Sequence, residues 1–166
     1  QSQPVWTHFV RPCWQALGSK MSTESDSDPW KDAEPEILRL GKFLDSFYKE
    51  SDRGAILMAG SVLDEVLSSM LQAFFIDTPE SKKLLSDFNA PLGTFSSRIL
   101  AAYAMGLIEQ QEYIEVEAIR KIRNLFGHSW DGIDFDTPKV KGQIDKLPFE
   151  DQEPRARLNH TVANLM

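Results

Sequence analysis

The sequence predicts an all-α protein, a multi-helix bundle within a single domain, and three observations carry that prediction. Beyond Pro35 the apolar residues recur at helical spacing nearly everywhere. No stretch alternates apolar and polar residues as a half-buried strand would. Proline, serine, threonine or aspartate stands where most of the apolar runs begin, which is the chemistry of helix starts.

Pro35 suits a first helical position, and Ile37, Leu40, Leu44 and Phe47 trace one face of a helix through about Glu50. Ser51 or Asp52 can cap a second, longer helix to about Ile76. Its stripe of Ile56, Ala59, Leu63, Val66, Met70 and Phe74 lies opposite Ser61, Glu65, Ser68 and Gln72, and the wide apolar arc makes it central. Thr78-Pro79 starts a short helix carrying Leu84, Leu85 and Phe88, and Asn89-Ala-Pro-Leu-Gly93 then breaks the pattern with turn residues. Thr94 caps a fourth helix through Leu107. A fifth runs from about Glu109 to Phe126 and ends near Gly127. Asp131 to Pro138 reads as a loop, Pro138 to Leu147 as a short helix, and Pro154 opens a last helix to Met166.

Residues 1–20 differ from the rest of the chain: they hold two of the four tryptophans and the only cysteine, and no acid. They are expected to be an upstream extension, with Met21 a natural start. Residues 21–34 read as a mobile acidic segment, and 35–166 as the helical domain.

Composition excludes several classes. The chain has 166 residues, 42% apolar, with 18 basic and 25 acidic side chains for a net charge of −7, enough length for a core and an unfavourable balance for nucleic acid. Cys13 cannot form an intrachain disulfide, and His8, His128 and His160 are too far apart in sequence to suggest a metal site. No metal or cofactor is expected. No run approaches the ~18 consecutive apolar residues of a membrane span, so a cytoplasmic protein without membrane contact is expected.

Three blocks resemble the mannitol operon repressor (MltR) family of bacterial regulators. They are Glu50-Ser-Asp-Arg-Gly-Ala-Ile-Leu-Met-Ala-Gly-Ser-Val-Leu-Asp64, Phe88-Asn-Ala-Pro-Leu-Gly-Thr-Phe-Ser-Ser-Arg-Ile99 continuing into Ala101-Ala-Tyr-Ala-Met-Gly-Leu-Ile108, and Ile119-Arg-Lys-Ile-Arg-Asn-Leu-Phe-Gly-His128. The resemblance implies an all-helical cytoplasmic repressor of sugar-alcohol uptake genes, or a sister of that repressor, acting through another protein such as a transcription factor or its complex. It implies no enzyme. The third block is also similar to the Arg-x4-His element of the HEPN superfamily. That similarity implies an alternative, metal-independent ribonuclease or nucleotide-binding protein in which Arg123, Asn124 and His128 would work together.

Helix geometry bears on both readings. Arg123 and His128 lie roughly 140° apart around one helix axis, so a single straight helix cannot aim both into one pocket. Arg123 falls inside the arc of Val116, Ile119, Ile122 and Phe126, which predicts an inward guanidinium in need of a carboxylate. Asp52 and Asp64 are the expected partners. Arg53 and Asp64 share a side of the second helix, and with Arg98 they complete a candidate polar network or cleft of Asp52, Arg53, Asp64, Arg98, Arg123 and Asn124. Its leading role is to fix helix register, with ligand or partner binding second and catalysis last. His128 is expected to serve the helix end. Arg120-Lys121-x-Arg123 is the densest basic run of the helical body but, with one member inward, a poor phosphate track. The nearest helix-turn-helix candidate, Leu84 to Ala104, shows mainly Ser96, Ser97, Arg98 and alanines, too bland a surface to read bases. A homodimer is compatible with a regulator of this size, although no heptad seam supports it.

Overall fold

The structure is a computed structural model that describes residues 35–150 and 152–166. The expectations for 1–20, Met21 and 21–34 lie outside the described residues. Within them the chain is all-α, seven helices and no strand: α1 Pro35–Lys49, α2 Asp52–Phe74, α3 Pro79–Ser86, α4 Phe95–Ala104, α5 Gln110–His128, α6 Pro138–Ile144 and α7 Pro154–Leu165.

The starts follow the capping chemistry. Ser51 accepts from the Gly54 N–H at 3.1 Å, Thr78 from Ser81 at 3.2 Å and Thr94 from Ser97 at 3.1 Å. At α5 the Glu112 carboxylate accepts from the Glu109 N–H at 2.6 Å, and Pro138 and Pro154 open α6 and α7. The ends are less legible. α4 stops at Ala104, before Leu107, because Gly106 takes φ +70° and turns the chain. Phe88 lies beyond α3 and is 95% exposed.

The described residues divide into two compact units at the boundary between Ser46 and Phe47. In the first, α1 contributes Ile37, Leu40 and Leu44, each partly covered. In the second, α2 packs chiefly on α5 and α4, and α6 on α5. Its core gathers Ile56, Leu63 and Leu71 of α2, Ile99 of α4, Ile119, Ile122 and Phe126 of α5, Val140 and Ile144 of α6 and Leu158 and Val162 of α7.

The α2 stripe departs from expectation in its second half. Leu67 and Leu71 are buried, whereas Val66 and Met70 are half-buried and Phe74 is 55% exposed. Both sets satisfy helical spacing after Leu63, and the neighbours in space decide between them. By length and composition alone α2 could cross a membrane. Here it packs on other helices, and its Arg53 and Asp64 side chains are engaged with groups on them or in their loops.

Candidate functional site

The candidate polar network resolves into separate clusters. At the α5 end, the Arg53 guanidinium donates to the Phe126 carbonyl at 2.6 Å and the Ser129 carbonyl at 2.7 Å. These carbonyls lie where a helix leaves acceptors unpaired and negative potential accumulates, so one cation satisfies both needs. About three turns along α2, Asp64 accepts from Arg98 at 2.6 Å. Arg98 also donates to the carbonyls of Leu92 at 2.9 Å and Leu85 at 3.2 Å. The pair therefore straps the Asn89-Ala-Pro-Leu-Gly93 loop, where Asn89 takes φ 61°, onto α2. That loop is a held connection.

Arg123 is placed differently from the sequence expectation: it is exposed, and neither Asp52 nor Asp64 is its partner. Its stem passes over Gly60, where an added Cβ would come within 2.9 Å of the Arg123 Cγ. The missing side chain at Gly60 admits the methylenes, and the guanidinium extends past them to water, as long basic side chains do. There it donates to the Asn124 Oδ1 at 3.2 Å.

Asp52 meets Arg155, a residue that no sequence pattern singles out, at 3.4 Å. Arg155 also donates to the carbonyls of Phe47 at 2.8 Å and Ser51 at 3.2 Å, and its guanidinium sits 5.5 Å from the Phe47 ring centroid. Buried Arg157 donates to the carbonyls of Pro148 and Leu147 and so holds the α6–α7 loop. Glu115, also unforeseen, is buried on α5. Desolvation pushes its carboxyl above the usual range, the Glu112 charge adds to the rise, and a hydrogen bond from Gln111 at 2.9 Å partly opposes it.

A concavity among the described residues lies on another face, between the last turns of α5 and α6. It is an open groove of about 710 Å³ walled by Arg120, Lys121, Asn124, His128 and Ser129 on one side and Lys139 and Gln143 on the other, with Leu125, Pro138 and Gly142 adding carbon surface. Its two walls are joined through the 129–137 loop. Buried Phe135 packs on Phe126 with ring centroids 5.5 Å apart. The Asp134 carboxylate accepts from the Thr137 N–H and hydroxyl, both at 2.8 Å, which starts α6 and holds the Asp134 carboxyl below its usual range.

Three-dimensional placement changes the reading of the basic run. Arg120 and Lys121 face this groove with Lys139, so basic groups from two helices gather where the sequence showed a short run on one. Glu117 restrains two of them, pairing with Arg120 through bonds of 3.1 and 2.9 Å and with Lys121 at 3.7 Å. Asn124 and His128 line the groove and Arg123 does not, so the three residues of the ribonuclease alternative are not gathered in it. Among the described residues no cluster of three or more histidine, cysteine or acidic side chains could hold a metal ion.

The fold and groove thus define a class: a small all-α protein with a basic groove between two of its helices. Comparison with known proteins gives a narrower likeness. The chain is 26% identical over 135 residues to the mannitol operon repressor of Escherichia coli (strain K12), an alignment covering 79% of this chain and 65% of that protein. The mannitol operon repressor of Escherichia coli O6:H1 aligns with the same identity and coverage. The chain therefore spans just under two-thirds of the length of the curated relatives it matches. No family model matches the chain, and no solved structure matches it significantly.

Proposed function

We propose that this protein is a repressor-type transcriptional regulator of the mannitol operon repressor kind, working in the cytoplasm as a non-enzymatic adaptor. It acts through a protein partner, such as a transcription factor or its complex, or through a ligand, and the α5–α6 groove is its contact surface. Sugar-alcohol uptake genes, those for mannitol first, are the targets this reading names. The observation that carries it is the alignment, which extends over 135 residues, most of the helical body.

The geometry favours an adaptor over a base reader. Eight residues separate α3 from α4, longer than the turn of a helix-turn-helix, and the exposed side chains of α4 include Ser96, Leu100 and Tyr103, which offer no set of base-edge donors. Arg98, which a recognition helix would need outside, is consumed by Asp64 and two carbonyls.

Deleting the gene tests the regulatory part: transcripts of mannitol-uptake genes should rise several-fold and return to their former level on complementation. Unchanged transcripts would overturn it. In a mobility-shift assay at moderate salt, the isolated full chain should leave operator DNA unshifted. Tight sequence-specific binding would overturn the adaptor part.

A further inference from the structure

The α5–α6 groove has a chemical polarity that its residue types alone do not reveal. Asn and Gln side chains each carry an acceptor and a donor. Here each acceptor takes a bond from a cation: the Asn124 Oδ1 accepts from Arg123 at 3.2 Å, and the Gln143 Oε1 accepts from Lys146 at 3.0 Å. Each bond fixes the amide and leaves its NH2 group as the unused end. Arg120 spends its Nε and one Nη2 hydrogen on Glu117, and its Nη1 remains unused. Among the described residues, no carboxylate pairs with Lys139 or His128, and none is among the residues lining the groove.

Three backbone acceptors at this end of α5 are also engaged. The Leu125 carbonyl accepts from the Ser129 N–H at 3.1 Å, and Arg53 takes the carbonyls of Phe126 and Ser129 from behind. Arg53 thereby offsets the negative end of the helix, which would otherwise repel an anion. The groove is thus rich in donors and carries surplus positive charge on a chain whose net charge is −7.

We infer that the groove binds a small phosphate-bearing molecule, a phosphomonoester with a short carbon skeleton. A donor-rich wall suits an acceptor-rich anion, and a tetrahedral dianion can take donors from both helices at once. The methylene stems, Leu125 and Pro138 suit a carbon body beside the phosphate. This inference rests on the reading that the groove is the contact surface of a regulator, and makes that contact a ligand.

The test uses isotope-labelled full-length protein titrated at constant ionic strength with glycerol phosphate and with inorganic pyrophosphate, with glycerol as the neutral match. Saturable shifts are expected in the amides of residues 120–129 and 138–143 with both anions, and none with glycerol. The near-isosteric changes Asn124→Asp and Gln143→Glu turn a donor into a charged acceptor, and each should weaken binding at least about tenfold. Unchanged melting temperatures will show that these variants fold. Absence of saturation at about 10 mM of either anion, or affinity unmoved by both variants, would overturn the proposal. So would a single-stranded oligonucleotide that binds the same residues more tightly than pyrophosphate. Binding without any transcript change on gene deletion would defeat the regulatory reading alone; a transcript change without binding would defeat only this one.

Discussion

Two sets of basic side chains in this protein work in opposite ways. Arg53 and Arg98 are committed inward, to carbonyl oxygens and, for Arg98, the Asp64 carboxylate. Around the α5–α6 groove, Arg120 retains unused N–H groups, and Lys139 has no ion-pair partner among the described residues. The difference teaches that residue type and even helical phase say little about an arginine's role. Its unspent donors say more: a guanidinium with its bonds filled holds the fold, and one with bonds to spare can hold something else.

The comparison yields graded expectations for thermal or denaturant unfolding. Arg98→Ala should have the largest effect, about 3 kcal/mol of destabilisation, because Asp64 loses its partner and the α3–α4 loop loses its strap. Arg53→Ala should cost about 2 kcal/mol by leaving the α5 carbonyls without their cation. If both changes proved neutral, the inward set would have no structural role and the contrast would collapse.

Glu115→Gln should stabilise the protein at neutral pH. The folded-state pKa of Glu115 is raised, so its ionisation opposes folding: stability is greatest below the unfolded pKa and falls as pH rises through the folded value. The gain from Glu115→Gln should therefore shrink on acidification and vanish below about pH 4, which melting curves across pH will show. The smallest effect belongs to Arg123→Ala, within about 0.5 kcal/mol, because its guanidinium is exposed and its one bond is to Asn124. A steep loss there would restore the inward arginine that the helical wheel suggests.

The helix starts were legible because their chemistry is local: Ser51, Thr78 and Thr94 each bond within three residues of their own position. The α5 arc of Val116, Ile119, Ile122 and Phe126 was legible too, since a strongly periodic face has one way to turn inward. Arg123 was misplaced because a wheel gives direction around an axis but not what lies opposite. Gly60, 63 positions earlier, opens the channel by which its stem escapes. The Arg155 and Arg157 contacts were hidden for a related reason: most of their partners are backbone carbonyls, which every residue carries. Glu115 left only a weak signal, an acid beside Val116 and one turn after Gln111. The groove was invisible because its second wall comes from a different helix.

The two walls of that groove differ in stiffness. The α5 wall belongs to a helix of 19 residues whose last turn is tied down by Arg53. The α6 wall is a helix of seven residues, under two turns, anchored by Val140 and Ile144, and a segment so short has little helical stability of its own. Amide exchange should therefore be slow through the last turns of α5 and faster from Lys139 to Ile144. A molecule bridging the two walls would slow exchange on the compliant side alone, making α6 the reporter of occupancy and α5 its fixed reference.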